Sequence, residues 1–250
     1  MLVLSVALWR VTEGSRHASS SGTADPMRPV TIILKGSYSD RSVALRVPRA
    51  YLIDAKDRRG GQKEIVSVRA ALPDMEPAPT YPDIRGTDPA AVDPALLAEF
   101  NNQVRISIGP PLAPGRTRDF AAKRTELTSS PYLRIKDSDN YGLIRADDIT
   151  CTPELRAAIA RSKNADLQCV PRSESHFVTR ESDVASVYMR CDVEFNFRFG
   201  CIAHSSCSGL RVNFVFRHSQ IAQWRYIQGR VCSLVDRFIA SKSGQTLVEE

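Results

Sequence analysis

The strongest constraint on this chain is a change of hydrophobic period near its end. Within 184–199, Val187, Met189, Cys191, Val193, Phe195, Phe197 and Phe199 recur at every second position. Leu210, Val212, Phe214 and Phe216 repeat that alternation. A period of two places those side chains on one face of an extended strand, so both runs predict antiparallel strands with one side against a core. They read together as a hairpin. The register then shifts: Ile221, Trp224, Ile227, Val231, Leu234 and Phe238 follow at steps of three or four, with Val235 beside them. That spacing predicts an amphipathic helix over 219–240, with Ser219 as its N-cap. A two-stranded hairpin cannot bury its own face, so the helix is expected to cover it.

Between the two strand runs lies FGCIAHSSCSG, read as a loop. Cys201 and Cys207 sit where hairpin ends approach, and a bridge between them would staple the loop. Cys191 in the apolar stripe and Cys232 on the helix form a second conceivable pair. Cys151 and Cys169 flank a short predicted helix at 154–161 and form a third. All 6 cysteines of the chain fall in its last hundred residues, an even set that points to folding under oxidising conditions. The spacing lacks the CxxC and HxxxH elements of zinc sites, so no metal is expected.

Upstream, PVTIILKG at 29–36 and RSVALRVP at 41–48 carry strand patterns, as do EIVSVRAAL at 64–72 and QVRISIG at 103–109. A helix is expected at 93–100, where Asp93 supplies an N-cap and Pro94 the first helical position. YLRI and YGLIRA predict two further short strands around the turn-like KDSDN. The fold class that follows is α+β: antiparallel and sheet-rich, with a long C-terminal amphipathic helix packed on a disulfide-stapled hairpin. Region 28–115 is β-rich and 131–244 is the cysteine-containing α+β region. The sequence leaves open whether these form one domain or two.

The first nine residues, MLVLSVALW, are an apolar run of signal-core length without preceding basic residues, followed by a polar tether. Residues 1–27 are therefore expected to be a truncated signal or anchor remnant and linker, able to act as an N-terminal membrane tether. A net charge of +6, gathered between 190 and 242, favours an anionic partner without choosing one.

Catalytic signatures are weak. His204 adjoins Ser205 and Ser206, but no GxSxG elbow surrounds them. Asp137 and Asp139, and Asp147 and Asp148, lie in turn-like sequence and read as solvated carboxylates rather than an acid–base pair. No phosphate loop is present, so no cofactor is expected. Arg198, Arg211, Arg217 and Arg225 suggest a basic stripe, yet the neighbouring phenylalanines are at core periodicity, and no specific nucleic-acid binding is predicted. The 4 histidines offer no assembled site, and an enzyme is less expected than a binding protein. The proline-rich connections around 73–89 and 109–117 would present contacts, with Tyr81, Tyr132, His204 and Arg225 as candidate interface residues.

VPRAYL at 47–52, GGQKEIVSVRAALPDMEP at 60–77 and the cysteine-bearing strand, hairpin and helix resemble uncharacterised periplasmic proteins of Gram-negative bacteria. Among these are immunity proteins that accompany phospholipase effectors of the type VI secretion system. The resemblance implies a periplasmic or inner-membrane-anchored protein that binds a phospholipase toxin and blocks it. Another periplasmic structural or binding role, and a hydrolase with an unrecognised site, are the alternatives.

Overall fold

Alternation decides the strands. In the computed structural model, residues 25–36, 41–79, 93–112, 120–130, 133–148, 174–179, 187–192 and 200–239 are described, with Ala157 and Arg161 singly. Residues 1–9, most of the helix expected at 154–161, Cys151, Cys169, Tyr81 and Tyr132 lie outside the described residues.

β1 (Pro29–Lys35) buries Val30, Ile32 and Leu34 and turns Thr31 and Ile33 outward. It pairs antiparallel with β2 (Ser42–Pro48) and parallel with β3 (Gly61–Lys63), giving a three-stranded sheet in the order β2-β1-β3. The second sheet comprises β4 (Val66–Ala71), β5 (Glu76–Pro77), β6 (Gln103–Pro111), β7 (Leu133–Asn140), β8 (Leu143–Asp148), β9 (Glu174–Thr179), β10 (Tyr188–Asp192), β11 (Gly200–Cys207) and β12 (Leu210–Arg217). Its nine strands run in the order β5-β4-β6-β12-β11-β10-β9-β8-β7. Every neighbouring pair is antiparallel. Because β6 pairs with β12, strands from both sequence regions share this sheet.

Three α-helices bounded within the described residues accompany the sheets. α1 (Pro94–Asn101) starts as predicted, with the Asp93 carboxylate accepting from the Ala95 amide and Pro94 in the first turn. α2 (Phe120–Ser129) was not expected from the sequence. α3 (Trp224–Phe238) buries Trp224, Ile227, Val231, Leu234, Val235 and Phe238, as the three-and-four spacing requires. Its start differs from expectation: His218–Gln223 form a 3-10 helix, so Gln223 rather than Ser219 stands at the N-cap.

The core lies between α3 with the three-stranded sheet and one face of the nine-stranded sheet. Val66, Val68, Val104, Ile106, Ile108, Val212, Phe214 and Phe216 supply that face, and Ile32, Leu34, Leu45 and Val47 belong to the same apolar cluster. Each such side chain contributes roughly 1.5–3 kcal/mol by leaving water. Tyr51 meets Phe238 edge-on, with ring centroids 5.2 Å apart, and donates its hydroxyl to the Met75 carbonyl at 2.9 Å. Desolvation is the main reason its pKa stands above the usual phenol value, with the Glu76 charge adding to it.

A disulfide fastens the hairpin under the C-terminal helix as expected, but the hairpin's partner strand and the cysteine pairing differ from expectation. The partner of Leu210–Arg217 is Gly200–Cys207, the segment read as a loop, joined through a two-residue turn at Ser208 and Gly209. Both turn residues have positive φ, +49° and +76°, the geometry that follows the right-handed twist of a tight hairpin and that glycine adopts without strain. Cys201 and Cys207 therefore stand on one strand, about 20 Å apart at the rise of an extended chain, too far to bridge. Among the described residues the bonds are Cys191–Cys201, between residues directly opposed on β10 and β11, and Cys207–Cys232, from the hairpin end to α3. No described cysteine is free.

Candidate interaction face

A strand that buries alternate residues must turn the others away. Across the nine-stranded sheet these outward residues fall into register as rows. One row runs Ser67, Ser107, Asn213, His204, Tyr188, Val178, Ile144. The next runs Arg69, Arg105, Val215, Ile202, Arg190, His176, Ala146. α3 lies on the opposite face, where Gln228 Nε2 donates to Ser205 Oγ at 2.7 Å.

α2 covers the β7–β9 end of the outward face, where its Leu127 packs with Ala146 and Val178. α1 reaches the end of β12 through Phe100, over whose ring the Arg217 guanidinium stands at 4.4 Å. Between them, β4, β6, β12, β11 and the outer part of β10 present a polar and basic surface. Arg105 and Arg190 are exposed, while Arg69, Ser107, Asn213, Val215, Ile202 and His204 are half-buried.

Two features organise that surface. Tyr188 lies between two near-parallel histidine rings, with His176 at a centroid distance of 6.2 Å and His204 at 5.5 Å. The Tyr188 hydroxyl is 2.9 Å from His176 Nδ1, and His204 Nδ1 is 3.0 Å from Asn213 Oδ1. Lys123 Nζ stands 5.1 Å over the Tyr188 ring. The second feature is the direct opposition of Arg69 and Arg105 on neighbouring strands. Like charges placed so are destabilising. Burial first, and then the Arg105 charge, depress the Arg69 pKa. Nearby, Arg211 lies across Gly109, where an added Cβ would come 2.9 Å from its Nε.

The structure separates residues that are neighbours in sequence. His204 points outward while Ser205 points into the core toward Gln228, so this histidine and serine form no dyad. Arg225 stands in the other layer at the start of α3, donating to the Tyr141 carbonyl at 3.1 Å and covering the Trp224 ring at 4.6 Å. It does not join Arg211 and Arg217 in a stripe, and it is not brought together with His204. His218 opens the 3-10 helix; burial, then the charge of Arg145, lowers its pKa.

Asp147 is an ion-paired residue rather than half of an acid–base couple. Its carboxylate receives Lys136 Nζ at 2.7 Å, Arg145 Nε at 2.6 Å and Ser175 Oγ at 2.7 Å. Desolvation opposes its ionisation, but these donors outweigh it and hold its pKa below the ordinary value of 3.8. A depressed carboxylate stabilises the fold above its unfolded pKa, and that contribution disappears as pH falls through the lower folded value. His218, also depressed, withdraws stability as pH falls below its ordinary 6.5. Stability is thus expected to decline from pH 6.5 downward, and to decline again below pH 3.8. In chemical denaturation followed across pH, Asp147→Asn should remove the second step and His218→Gln the first; unchanged profiles would contradict these assignments.

An open cleft of about 340 Å³ lies at the edge of the smaller sheet, lined by Lys35, Gly36, Gln62, Lys63 and Glu64. It contains no histidine, cysteine or serine. Among the described residues no group of three His, Cys, Asp or Glu side chains is placed to hold a metal. No described helix is long and apolar enough to cross a membrane.

Sequence reasoning passed over Arg69, Arg105 and Arg190. The signal was present: each occupies the outward phase of a strand whose inward phase is apolar, in VSVRAA, QVRISIG and YMRCD.

No family model and no curated protein matches the chain. Two solved structures align with 86% of it and with 94% of their own chains. One is Smlt3025, an immunity protein of the Stenotrophomonas maltophilia type IV secretion system, at 16% identity and a TM-score of 0.51. The other is the iron-regulated outer membrane lipoprotein FrpD of Neisseria meningitidis, at 13% identity and a TM-score of 0.42. At such identity the likeness to Smlt3025 is one of fold, and it extends over most of both chains.

Proposed function

We propose that this chain is a protein-binding module of the bacterial envelope, an immunity protein that neutralises a secreted toxin by covering it. The observation that carries the reading is the outward face of the nine-stranded sheet: ordered by strand pairing, rich in arginine and left uncovered between α1 and α2 by the described helices. Such a face suits recognition of a preformed partner, since rigid elements lose little entropy on binding. The likeness of fold to a secretion-system immunity protein supports the same direction. The two described disulfides support an oxidising compartment, with the periplasm as the location that fits an immunity role.

The finer reading, that the toxin is a phospholipase effector delivered by a type VI system, rests on the sequence resemblance at 47–52 and 60–77. A tether at 1–27 would hold the domain at the inner membrane, where a lipase acts. The test is co-production with the toxin encoded beside it. A stable complex in size-exclusion chromatography, with loss of toxin activity on mixing, is expected. Full toxicity together with separate elution would remove the immunity role, and neutralisation of a toxin without lipase activity would remove the phospholipase assignment alone.

A further inference from the structure

Arg69 Nη1 donates to the Pro79 carbonyl at 3.3 Å, but no described carboxylate offsets the repulsion between Arg69 and the Arg105 directly opposite. The two side chains come from adjacent strands in direct register, and burial of Arg69 makes their mutual repulsion harder for water to screen. Arg211 and Arg217 extend the charge along β12, and Arg190 stands farther along the Arg69 row on β10, before His176 and Ala146. Among the described side chains that β4, β6, β12 and β11 turn to this face, none is a carboxylate. Between the cations, Val215 and Ile202 form an apolar saddle.

We propose that this face docks an acidic segment of the partner protein, laid across the strands, with carboxylates on Arg69 and Arg105 at one end and on Arg190 at the other, and an apolar side chain over Val215 and Ile202. The inference rests on the protein-binding reading above and specifies the chemistry of its partner. Three strand spacings separate Arg105 from Arg190, about 14 Å, which an extended peptide covers in about four residues. Bidentate guanidinium–carboxylate pairing suits this geometry, because each arginine fork donates two parallel N–H bonds to one carboxylate edge.

A nucleic acid would satisfy the charge but not the rings. Single-stranded chains need aromatic faces on which to stack. Tyr188 is enclosed by His176 and His204 at its sides and by Lys123 over its face. The disulfides also argue for a compartment without nucleic-acid partners.

The test uses the full chain and three fluorescent probes: a peptide in which glutamates flank an isoleucine–valine pair, its glutamate-to-lysine counterpart, and a single-stranded oligonucleotide. Fluorescence anisotropy should show binding of the acidic peptide, weakening with salt, and none of the lysine peptide. Arg69→Gln with Arg105→Gln should weaken that binding about tenfold or more while keeping or raising the midpoint of thermal unfolding, because a repulsion is relieved. The corresponding double lysine variant, which keeps the charge but lacks the planar fork, should retain only part of it. Failure of the unmodified chain to bind the acidic peptide, indifference to the double glutamine variant, or tighter binding of the oligonucleotide would each overturn the proposal. The peptide assay needs no toxin, so the two readings fail separately. If the double glutamine variant still neutralises the toxin fully, this docking mode falls and the immunity role stands; peptide binding without toxin neutralisation gives the converse.

Discussion

Replacing Trp224 by alanine lowers the unfolding free energy by about 4 kcal/mol, near the middle of the range for buried aromatic truncations. Trp224 is 1% exposed and opens α3 against the sheet. Its indole Nε1 donates to the Tyr141 carbonyl at 3.0 Å, and Arg225 shares that acceptor. Tyr141 and Gly142 form the turn between β7 and β8, both with positive φ, so the tryptophan fastens the last helix to a hairpin far away in sequence. The substitution removes the transfer energy of the ring, leaves a cavity, and breaks one of the two bonds that α3 makes to the Tyr141 carbonyl. Trp224→Phe keeps much of the burial and loses the hydrogen bond, so a smaller loss of about 1–2 kcal/mol is expected. Urea denaturation of the three proteins checks both values. A loss below about 1 kcal/mol for the alanine variant would mean that the first turn of α3 is not anchored as described.

The second large effect concerns Cys207 and Cys232. Their bond links the end of β11 to the middle of α3 across 25 residues of chain. Closing a loop of that size in the unfolded ensemble corresponds to about 3 kcal/mol of stability, and the paired change Cys207→Ser with Cys232→Ser should lose about that much. The loss should appear as a lower denaturation midpoint under oxidising conditions. Reduction of the unmodified protein should destabilise it further, because it also opens Cys191–Cys201, and reduction of the double variant should still remove that contribution. Peptide mapping without reduction tests the connectivity itself: a fragment joining Cys201 to Cys207 would refute the register of the hairpin.

The stretches that announced themselves in the sequence were those where one face is uniformly apolar. β1, β2, β4, β6 and β12 alternate large apolar residues with polar ones, and α3 carries its stripe for four turns. β11 concealed itself because its inward residues are small: Cys201, Ala203, Ser205 and Cys207 are all buried. A helix bonded to the strand through Cys232 and Gln228 must lie close, and small inward residues permit that approach. Composition therefore imitated a loop, although the Ser208–Gly209 pair was available as a turn signal. α2 was hidden for a different reason, since Leu127 is its one described residue that is buried, too little to generate a helical stripe.

The binding face was less readable than the fold. Tyr81 and Tyr132 lie outside the described residues, and His204 and Arg225 fall in different layers. The arginine row depends on register between β4, β6, β12, β11 and β10, strands whose pairing partners are distant along the chain. No local pattern encodes which outward residues will become neighbours. Periodicity identifies the side of a strand, whereas the row requires the order of strands.

That order has a consequence for biogenesis. β6 is bonded to β4 on one side, and its other edge waits for β12, which emerges about a hundred residues later. Until then the early ladder carries an open rim of amide and carbonyl groups, a template for self-association. Chains stopped before Leu210 should aggregate through this rim, and a chain crossing a membrane would need a holdase on its first half until its last fifty or so residues arrive. The vulnerable interval in this protein's life is set by where the closing strand is written in the chain.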